Sequence, residues 1–405
     1  MRKSLLLSIL LLSFYSCSED RAIIEINEAV LPEPSSISIM TENLQPVISR
    51  DDYIAGEITI SNINEDEDLV LDLEIRGRGN STWTFPKKPY QIRFEDKQSI
   101  LGMAKDKKWI LLANYSDKTM LRNEVAFNLS RFSNLDWTPD SRSVELYINH
   151  EYVGVYQIVQ KVEETSNRVN IGNDGYLLEV DQLSRLDEDD VYFESNNYLF
   201  NIKEPKLDAG DDEYNIINEY IQLTENTLLG DNFTDPVEGY EKYIDVASFI
   251  DWYLINEITK NNDAIFFSSV FMNYIPGGKL KMGPVWDYDI SLGNINFNNN
   301  ETTDGFWIKN ATWYARLFED PNFVSKVKSR FNYFYNNKNI FLEQIDSSAL
   351  SLSQAQARNF STWPILGTYV WPNNVYFLTY NEEVVYLKEW LNERLEWLNV
   401  NLNEL

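Results

Sequence analysis

Short runs of alternating hydrophobic and polar residues fill the first half of the chain, and each run predicts a half-buried strand. The runs cover residues 37–40, 56–60, 69–75, 144–148, 152–158 and 175–180. Only Asn149-His150-Glu151 separates two of these runs, so the sequence predicts a hairpin there, with His150 in its exposed turn.

The period of the pattern changes in the second half. Apolar residues recur every three or four positions over residues 243–260, 323–335 and 384–398, which predicts amphipathic helices. The segment 264–289, between the first two of these, is strand-like again. The sequence therefore predicts an α+β protein with a strand-rich N-terminal half, a helical C-terminal half and a strand pair embedded in the latter.

Residues 1–17 have the features of a bacterial lipoprotein signal peptide. A basic start at Met1-Arg2-Lys3 precedes an apolar run over residues 5–12, and Cys17 follows a small residue at the position where such signals carry their lipid. An ordinary signal peptide with an incidental Cys is the alternative, and both interpretations predict export. No other run of about 18 apolar residues occurs, so the mature chain is expected not to span a membrane.

Residues 18–36 end in a Pro-containing stretch and are predicted to be a tether, which leaves residues 37–405 as the folded domain. The acidic start of the tether, Ser18-Glu19-Asp20, resembles the export signals of lipoproteins displayed on bacterial cells. We therefore expect a protein of the cell envelope that is anchored by lipid to the outer membrane, with the cell surface as one destination.

The composition narrows the chemistry that the protein can perform. The 405 residues include 35 Lys and Arg against 63 Asp and Glu, a formal charge of −28, with one Cys and one His. These counts exclude an intrachain disulfide and a zinc site built from several Cys and His ligands. The negative charge argues against a nucleic acid polymer as partner, because its phosphates normally bind a basic surface. Any catalysis is expected to rely on carboxylates, Lys, Arg, Asn and a bound metal ion.

Positive charge is concentrated in one segment of this acidic chain, residues 75–94. The segment contains Arg76-Gly77-Arg78-Gly79 and the basic pair Lys87-Lys88. Glycines let a backbone turn sharply or approach a ligand, and such a group of bases can hold phosphates. The alternative is a strand-to-turn junction with ordinary surface bases, and the composition leaves both interpretations open.

Two acidic segments in the second half suggest metal and acid–base chemistry. Asp287 and Asp289 alternate in a strand-like run, so both carboxylates are expected on one face of a strand, where they could share a hard cation. Asp263 closes Asn261-Asn262-Asp263 after a predicted helix, and these residue types equally suit a helix end. An Asp that acts as base, followed by a later Asp that binds metal, is the order found in phosphoryl-transfer sites.

Several motifs together resemble the spore coat protein H (CotH) kinase family. They are Arg76-Gly77-Arg78-Gly79-Asn80-Ser81-Thr82-Trp83, Lys87-Lys88-Pro89-Tyr90, Leu121-Arg122-Asn123, Tyr152-Val153-Gly154-Val155-Tyr156 and Gly283-Pro284-Val285-Trp286-Asp287-Tyr288-Asp289. The resemblance extends over residues 37–400. It implies an atypical protein-kinase-like fold that transfers the γ-phosphate of ATP to Ser or Thr of proteins with the help of Mg²⁺ or Mn²⁺. It also implies Asp263 as the catalytic base and Asp287 or Asp289 as the metal ligand, with Asp287 preferred.

The resemblance suggests further nucleotide contacts. Tyr156 offers an aromatic face for adenine, Lys161 a positive charge for phosphate and Glu163 a carboxylate for metal. Arg78 and Lys88 are the candidate phosphate contacts of the basic segment. Each of these residues also suits an ordinary strand or turn position. The implied partners are a nucleotide, an unidentified protein substrate and the membrane, reached through the lipid anchor.

A catalytically inactive surface module of the same fold is the alternative function. An exported protein meets little ATP, and the chain is rich in aromatic residues, among them Trp307 and Trp313 near the loop 294–305. In this interpretation the aromatic residues bind a glycan or a protein, and the carboxylates hold structure or calcium. The kinase hypothesis differs because it requires metal-dependent nucleotide binding through Asp287.

Overall fold

The structure, a computed structural model, describes residues 33–61, 68–208 and 210–405. The strands are β1 (Ser35–Thr41), β2 (Ile54–Ser61), β3 (Leu69–Gly77), β4 (Tyr90–Gln98), β5 (Asp106–Leu112), β6 (Ser141–Ile148), β7 (Glu151–Gln160), β8 (Tyr176–Val180), β9 (Tyr192–Glu194), β10 (Leu199–Glu204), β11 (Val270–Tyr274) and β12 (Lys281–Met282). The helices are α1 (Arg122–Arg131), α2 (Asp212–Leu229), α3 (Val246–Thr259), α4 (Thr312–Leu317), α5 (Pro321–Asn336), α6 (Lys338–Ser351), α7 (Ala355–Thr362) and α8 (Tyr380–Asn403). The expected signal peptide, Cys17 and the tether up to residue 32 lie outside the described residues.

Strands β1 to β7 form a closed barrel in the order β1-β2-β3-β4-β5-β7-β6. Neighbouring strands are antiparallel except at the closure, where β1 pairs in parallel with β6. Side chains alternate between the two faces of each strand, and the apolar ones pack together in the interior. They include Ile37, Ile39, Ile58, Ile60, Ile75, Ile92, Trp109, Leu111, Val144, Leu146, Tyr156 and Ile158. Most of the alternating runs of the sequence are therefore barrel strands, and His150 lies in the exposed β6–β7 turn as predicted.

A five-stranded sheet has the order β12-β11-β8-β10-β9. Strands β11 and β12 come from the helical half of the chain, and β11 pairs with β8 from the strand-rich half. This sheet and the helices share the larger hydrophobic core. The predicted α+β layout is confirmed, including the strand pair embedded among the helices. None of the helices in the described ranges is both long and apolar enough to cross a membrane.

The segment around α7 connects the helical half to the barrel. Asn359 of α7 accepts a hydrogen bond from the backbone N–H of Val155 in β7 at 3.0 Å. Trp363 donates its indole N–H to the Val153 carbonyl at 2.9 Å. Between these two contacts, Gly154 has a φ of 117°, and a Cβ there would lie only 2.7 Å from Asn359 Oδ1. Only glycine therefore allows this close approach of α7 to the barrel.

Helix α3 is buried from Ser248 to Thr259 and carries an ion pair in the core. Arg394 Nη2 of α8 lies 2.7 Å from Glu257 Oε1 of α3, and neither side chain is exposed. Glu257 also accepts hydrogen bonds from the backbone N–H groups of Trp307 and Lys309. The pair thereby holds α3, α8 and the loop at Trp307 together.

Replacing Glu257 with Ala is expected to destabilise the protein by roughly 3–5 kcal/mol, because the buried Arg394 charge loses its partner. Chemical denaturation followed by circular dichroism measures the difference from wild type. Glu238→Ala, which breaks the exposed pair of Glu238 with Lys242, is the control and should cost little. A loss at Glu257 no larger than that of the control would contradict the expectation.

Candidate functional site

One cleft of about 810 Å³ is lined by the barrel, the five-stranded sheet and the loops around β11 and β12. Its eight basic residues are Arg76, Arg78, Lys87, Lys108, Lys161, Arg185, Lys203 and Lys206. Its ten acidic residues are Glu163, Glu179, Asp181, Asp187, Asp189, Asp190, Glu204, Asp263, Asp287 and Asp289. Charge is thus nearly balanced in this cleft of a strongly acidic chain, so an anionic ligand meets far less repulsion here than elsewhere.

Asp287 and Asp289 lie in the loop that follows β12, and the prediction that they alternate along a strand is wrong. Strand β12 ends at Met282, and Asp287 has a left-handed φ of 68°. Both residues nevertheless line the cleft, and their carboxyl groups are close enough to interact directly. A turn of the backbone, and not strand alternation, brings the two acids together.

Two residues of α1 hold this acidic loop. Asn123 Oδ1 accepts a hydrogen bond from the N–H of Tyr288, the residue between the two acids, at 2.9 Å. Arg122 donates from Nε and Nη2 to the carbonyls of Ser291 and Leu292 at 3.2 and 3.3 Å. In the sequence, Arg122 and Asn123 are noticeable only as part of a motif. The structure shows that they position the loop that carries Asp287 and Asp289.

The cleft destabilises negative charge at Asp289. Burial raises the pKa of its carboxyl well above the usual value, and the charges of Asp287 and Asp263 raise it further. Arg78 also lies close enough to Asp287 and Asp289 for its charge to interact with theirs. A proton or a bound cation is therefore needed to stabilise this pair of acids.

The two acids suit a metal ion that arrives with a phosphate ligand. In the part of the chain that the structure describes, no group of three or more His, Cys, Asp or Glu side chains could hold a metal by itself. Mg²⁺, however, is commonly bound by one or two carboxylates together with phosphate oxygens and water. Asp287 and Asp289 provide the carboxylates of that donor set.

Asp263 lies in the same cleft, shortly after α3 ends at Thr259. Its Oδ1 accepts a hydrogen bond from Asn262 Nδ2 at 2.8 Å, and Arg185 Nη2 lies 3.8 Å from its Oδ2. Burial raises the pKa of the Asp263 carboxyl, and the charge of Asp287 adds to this effect. A carboxylate with a raised pKa is a better proton acceptor, so Asp263 suits a general base.

Comparison with known proteins gives the family. Residues 75–398 match the family model described as CotH kinase protein, which is well over half of the chain. The chain belongs to the CotH family. Inner spore coat protein H of Bacillus subtilis (strain 168) is 24% identical over 263 residues, which cover 64% of this chain and 69% of that protein. The CotH match includes Asp263, Asp287 and Asp289, and the resemblance inferred from the motifs is confirmed.

Two of the nucleotide contacts suggested by the CotH resemblance point away from the cleft. Lys88 donates from Nζ to the Trp83 carbonyl at 2.6 Å and lies over the Trp83 ring. Tyr156 is buried in the barrel interior, where its hydroxyl donates to the Lys88 carbonyl at 2.8 Å. The structure therefore does not support a phosphate contact by Lys88 or an adenine contact by Tyr156, and the neighbouring Lys87 lines the cleft instead.

Arg78, Lys161 and Glu163 do line the cleft of this CotH protein. Glu163 is paired with Arg168 and lies 3.2 Å from Lys108 Nζ and 3.7 Å from Lys161 Nζ. A carboxylate surrounded by three cations is a poor metal ligand, so the geometry favours a structural role for Glu163. Burial lowers the pKa of Lys161 to about 8, which leaves it mostly charged at neutral pH.

The aromatic surface expected for the inactive module does not form at Trp313. Trp313 is buried and donates from Nε1 to Glu225 Oε1 at 2.8 Å. Trp307 lines the cleft, and its Nε1 donates to the Asn262 carbonyl at 3.0 Å.

Sequence reasoning also missed residues that the fold brings into the cleft. Arg185 is one of them, and the loop 187–190 contributes three acids to the lining. Glu179 and Asn201 come from neighbouring strands of the five-stranded sheet. No motif or spacing marks these positions, because they meet only when the sheet forms.

Lys87 is a buried base whose ammonium group contacts neutral groups. Its Nζ donates to Asn359 Oδ1 at 3.0 Å and to the Val155 carbonyl, and lies 4.7 Å from the centre of the Tyr156 ring. No ion pair involves Lys87 in the described ranges. Burial lowers the pKa of Lys87 from 10.5 to about 7.

Lys87→Met is expected to remove a pH-dependent part of the stability. Above pH 7 the folded chain releases the Lys87 proton, whereas the unfolded chain keeps it up to about pH 10.5. The unfolded state binds more protons in this window. As pH rises, the free energy of unfolding of wild type therefore increases by up to about 1.4 kcal/mol per pH unit relative to that of the variant. Denaturation at several pH values between these limits measures the slopes. Lys107→Met, at an exposed position of β5, is the control, and equal slopes for wild type and Lys87→Met would contradict the expectation.

Proposed function

We propose that this CotH-family protein is a metal-dependent protein kinase that transfers the γ-phosphate of ATP to a Ser or Thr hydroxyl. The observation that carries the proposal is the presence in one cleft of Asp263, with its raised pKa, and the acid pair Asp287 and Asp289. One carboxylate is available to take a proton while the pair is available to hold a cation. The description of the matched family as CotH kinase protein supports the same reaction.

The basic and acidic groups of the cleft have separate tasks in this reaction. Asp287 and Asp289 would hold Mg²⁺ or Mn²⁺, which supplies positive charge to the phosphates when bound. Arg78 and Lys161 lie in the same lining and offset negative charge on the transferred group.

Asp263 accepts the proton of the substrate hydroxyl in this reaction. The oxygen of the acceptor hydroxyl forms a bond to the γ-phosphorus while the bond from that phosphorus to the β,γ-bridging oxygen breaks, and ADP leaves. The hydroxyl proton passes to the Asp263 carboxylate. Arg185, 3.8 Å away, favours the charged form of Asp263 before the transfer.

The proposal extends to fold and location. We propose that the barrel and the helical half correspond to the two lobes of an atypical kinase, with the cleft between elements of both. The chain is proposed to be exported and anchored in the cell envelope through Cys17. The Bacillus subtilis relative is named for the inner spore coat, which supports a place in an outer layer.

Binding and transfer measured on the same wild-type preparation test the proposed kinase. ATP is titrated in the presence of Mg²⁺, Mn²⁺ or EDTA, and labelled γ-phosphate is followed onto the protein itself and onto generic protein substrates. Metal-dependent binding with label on Ser or Thr supports the proposal. Binding without transfer would favour the inactive module, and no binding with either metal would overturn the nucleotide site.

A further inference from the structure

The five-stranded sheet presents a row of side chains to the cleft. Asn201 of β10 is paired in register with Glu179 of β8, and Glu179 is paired with Phe271 of β11. Residues paired in register point to the same face of a sheet, and these three line the cleft. The row forms part of the cleft wall, and the proposed reaction assigns it no role.

One atom of this row lacks a partner. Asn201 is 1% exposed, and its Nδ2 donates to Asp190 Oδ2 at 2.8 Å. Its Oδ1 accepts no hydrogen bond from any residue in the described ranges. Buried acceptors in folded proteins are almost always satisfied. An unsatisfied acceptor in the wall of a cleft therefore indicates a ligand group that donates a hydrogen bond.

The charges around the row favour a neutral donor over a cation. Lys203 Nζ lies 3.5 Å from Glu179 Oε2 and 3.7 Å from Asp190 Oδ1, so both carboxylates already have a basic neighbour. The unmatched group is the neutral Asn201 oxygen beside the Glu179 carboxylate. Two acceptors on neighbouring strands suit the vicinal hydroxyls of a sugar, and a carboxylate binds ribose hydroxyls in the same way in dinucleotide sites.

Arg78 relates this row to the acidic pair. Its charge interacts with that of Glu179 and also with those of Asp287 and Asp289, so one guanidinium is within reach of both groups. A nucleotide with its phosphates at the acidic pair would have its sugar at a neighbouring position of the same cleft. We propose that Asn201 and Glu179 bind the ribose hydroxyls of the nucleotide. This inference rests on the proposed function, since it assigns a subsite for the same ligand.

The ribose site is tested by titrating Mg-ATP and Mg-2′,3′-dideoxy-ATP against wild type and Asn201→Leu. Wild type is expected to bind ATP about tenfold more tightly than the analogue, which leaves the two acceptors unpaired. In Asn201→Leu, ATP binding is expected to fall about tenfold while binding of the analogue changes little. Asn273→Leu, at another buried Asn of the same sheet that does not line the cleft, is the matched control and should keep the preference for ATP.

The outcomes separate this site from the proposed function. Equal binding of the two nucleotides by wild type would overturn the ribose site and leave the kinase proposal standing. An equal loss of both nucleotides in Asn201→Leu, with the control unaffected, would show a role that does not involve the hydroxyls and would also overturn it. Binding of neither nucleotide by wild type would overturn the proposed function and the ribose site together.

Discussion

Asp263→Asn is expected to lower the rate of phosphoryl transfer by roughly 10²- to 10⁴-fold and to leave metal–nucleotide binding nearly unchanged. The amide keeps the size of the side chain and retains an oxygen for the hydrogen bond from Asn262. The amide cannot accept the proton of the acceptor hydroxyl, so only the rate of the chemical step is expected to fall. Initial rates at saturating nucleotide, with equilibrium binding measured on the same samples, separate the two effects.

The pH profile distinguishes this role of Asp263 from a structural one. The wild-type rate should rise with pH as the Asp263 carboxyl, whose pKa burial raises, loses its proton. The residual activity of Asp263→Asn should lack this rise. Asp189→Asn removes a charge at an exposed position of the same cleft and should behave as wild type. A parallel loss of binding and rate in Asp263→Asn would argue against a base.

Five of the seven barrel strands, all except β4 and β5, are predicted from the sequence because their signal is local. The alternation of Ile37 with Ile39 and of Ile58 with Ile60 reports directly which residues are buried. The closure of the barrel has no such signal. It depends on β1 pairing in parallel with β6, as in the register of Ile37 with Leu146, and contacts this distant in sequence leave no periodic pattern.

The site shows the same division between local and distant information. Asp263, Asp287 and Asp289 could be proposed from the sequence because their order matches phosphoryl-transfer sites and their motifs resemble the CotH family, and the structure places all three in one cleft. The left-handed backbone at Asp287 could not be predicted, since non-glycine residues rarely adopt it and the local sequence is typical of a strand. The side chains of Lys87 and Lys88 diverge, since Lys87 is buried against Asn359 and Tyr156 whereas Lys88 lies over Trp83, and a basic pair in sequence does not specify this.

Asp287→Asn and Asp289→Asn are each expected to weaken metal-dependent nucleotide binding by about 100-fold or more. Loss of a residue that only hydrogen-bonds to a metal ligand already lowers metal affinity by about 10- to 100-fold. Either change leaves one carboxylate to hold the cation. Phosphoryl transfer should fall with binding, in contrast to Asp263→Asn. Titration of ATP in Mn²⁺ and in EDTA measures the metal-dependent part.

Asp289→Asn is expected to raise the stability of the metal-free protein although it weakens nucleotide binding. These opposite effects distinguish a metal-binding pair from a structural one. Burial and the neighbouring charges of Asp287 and Asp263 disfavour the ionised Asp289, so a neutral amide in its place relieves repulsion in the folded state. We expect Asp289→Asn to melt at a higher temperature than wild type in EDTA and to gain less stability from Mg²⁺ with ATP. Lower stability in EDTA together with unchanged nucleotide binding would show that the pair holds structure, because a purely structural acid loses its own contacts when it is replaced.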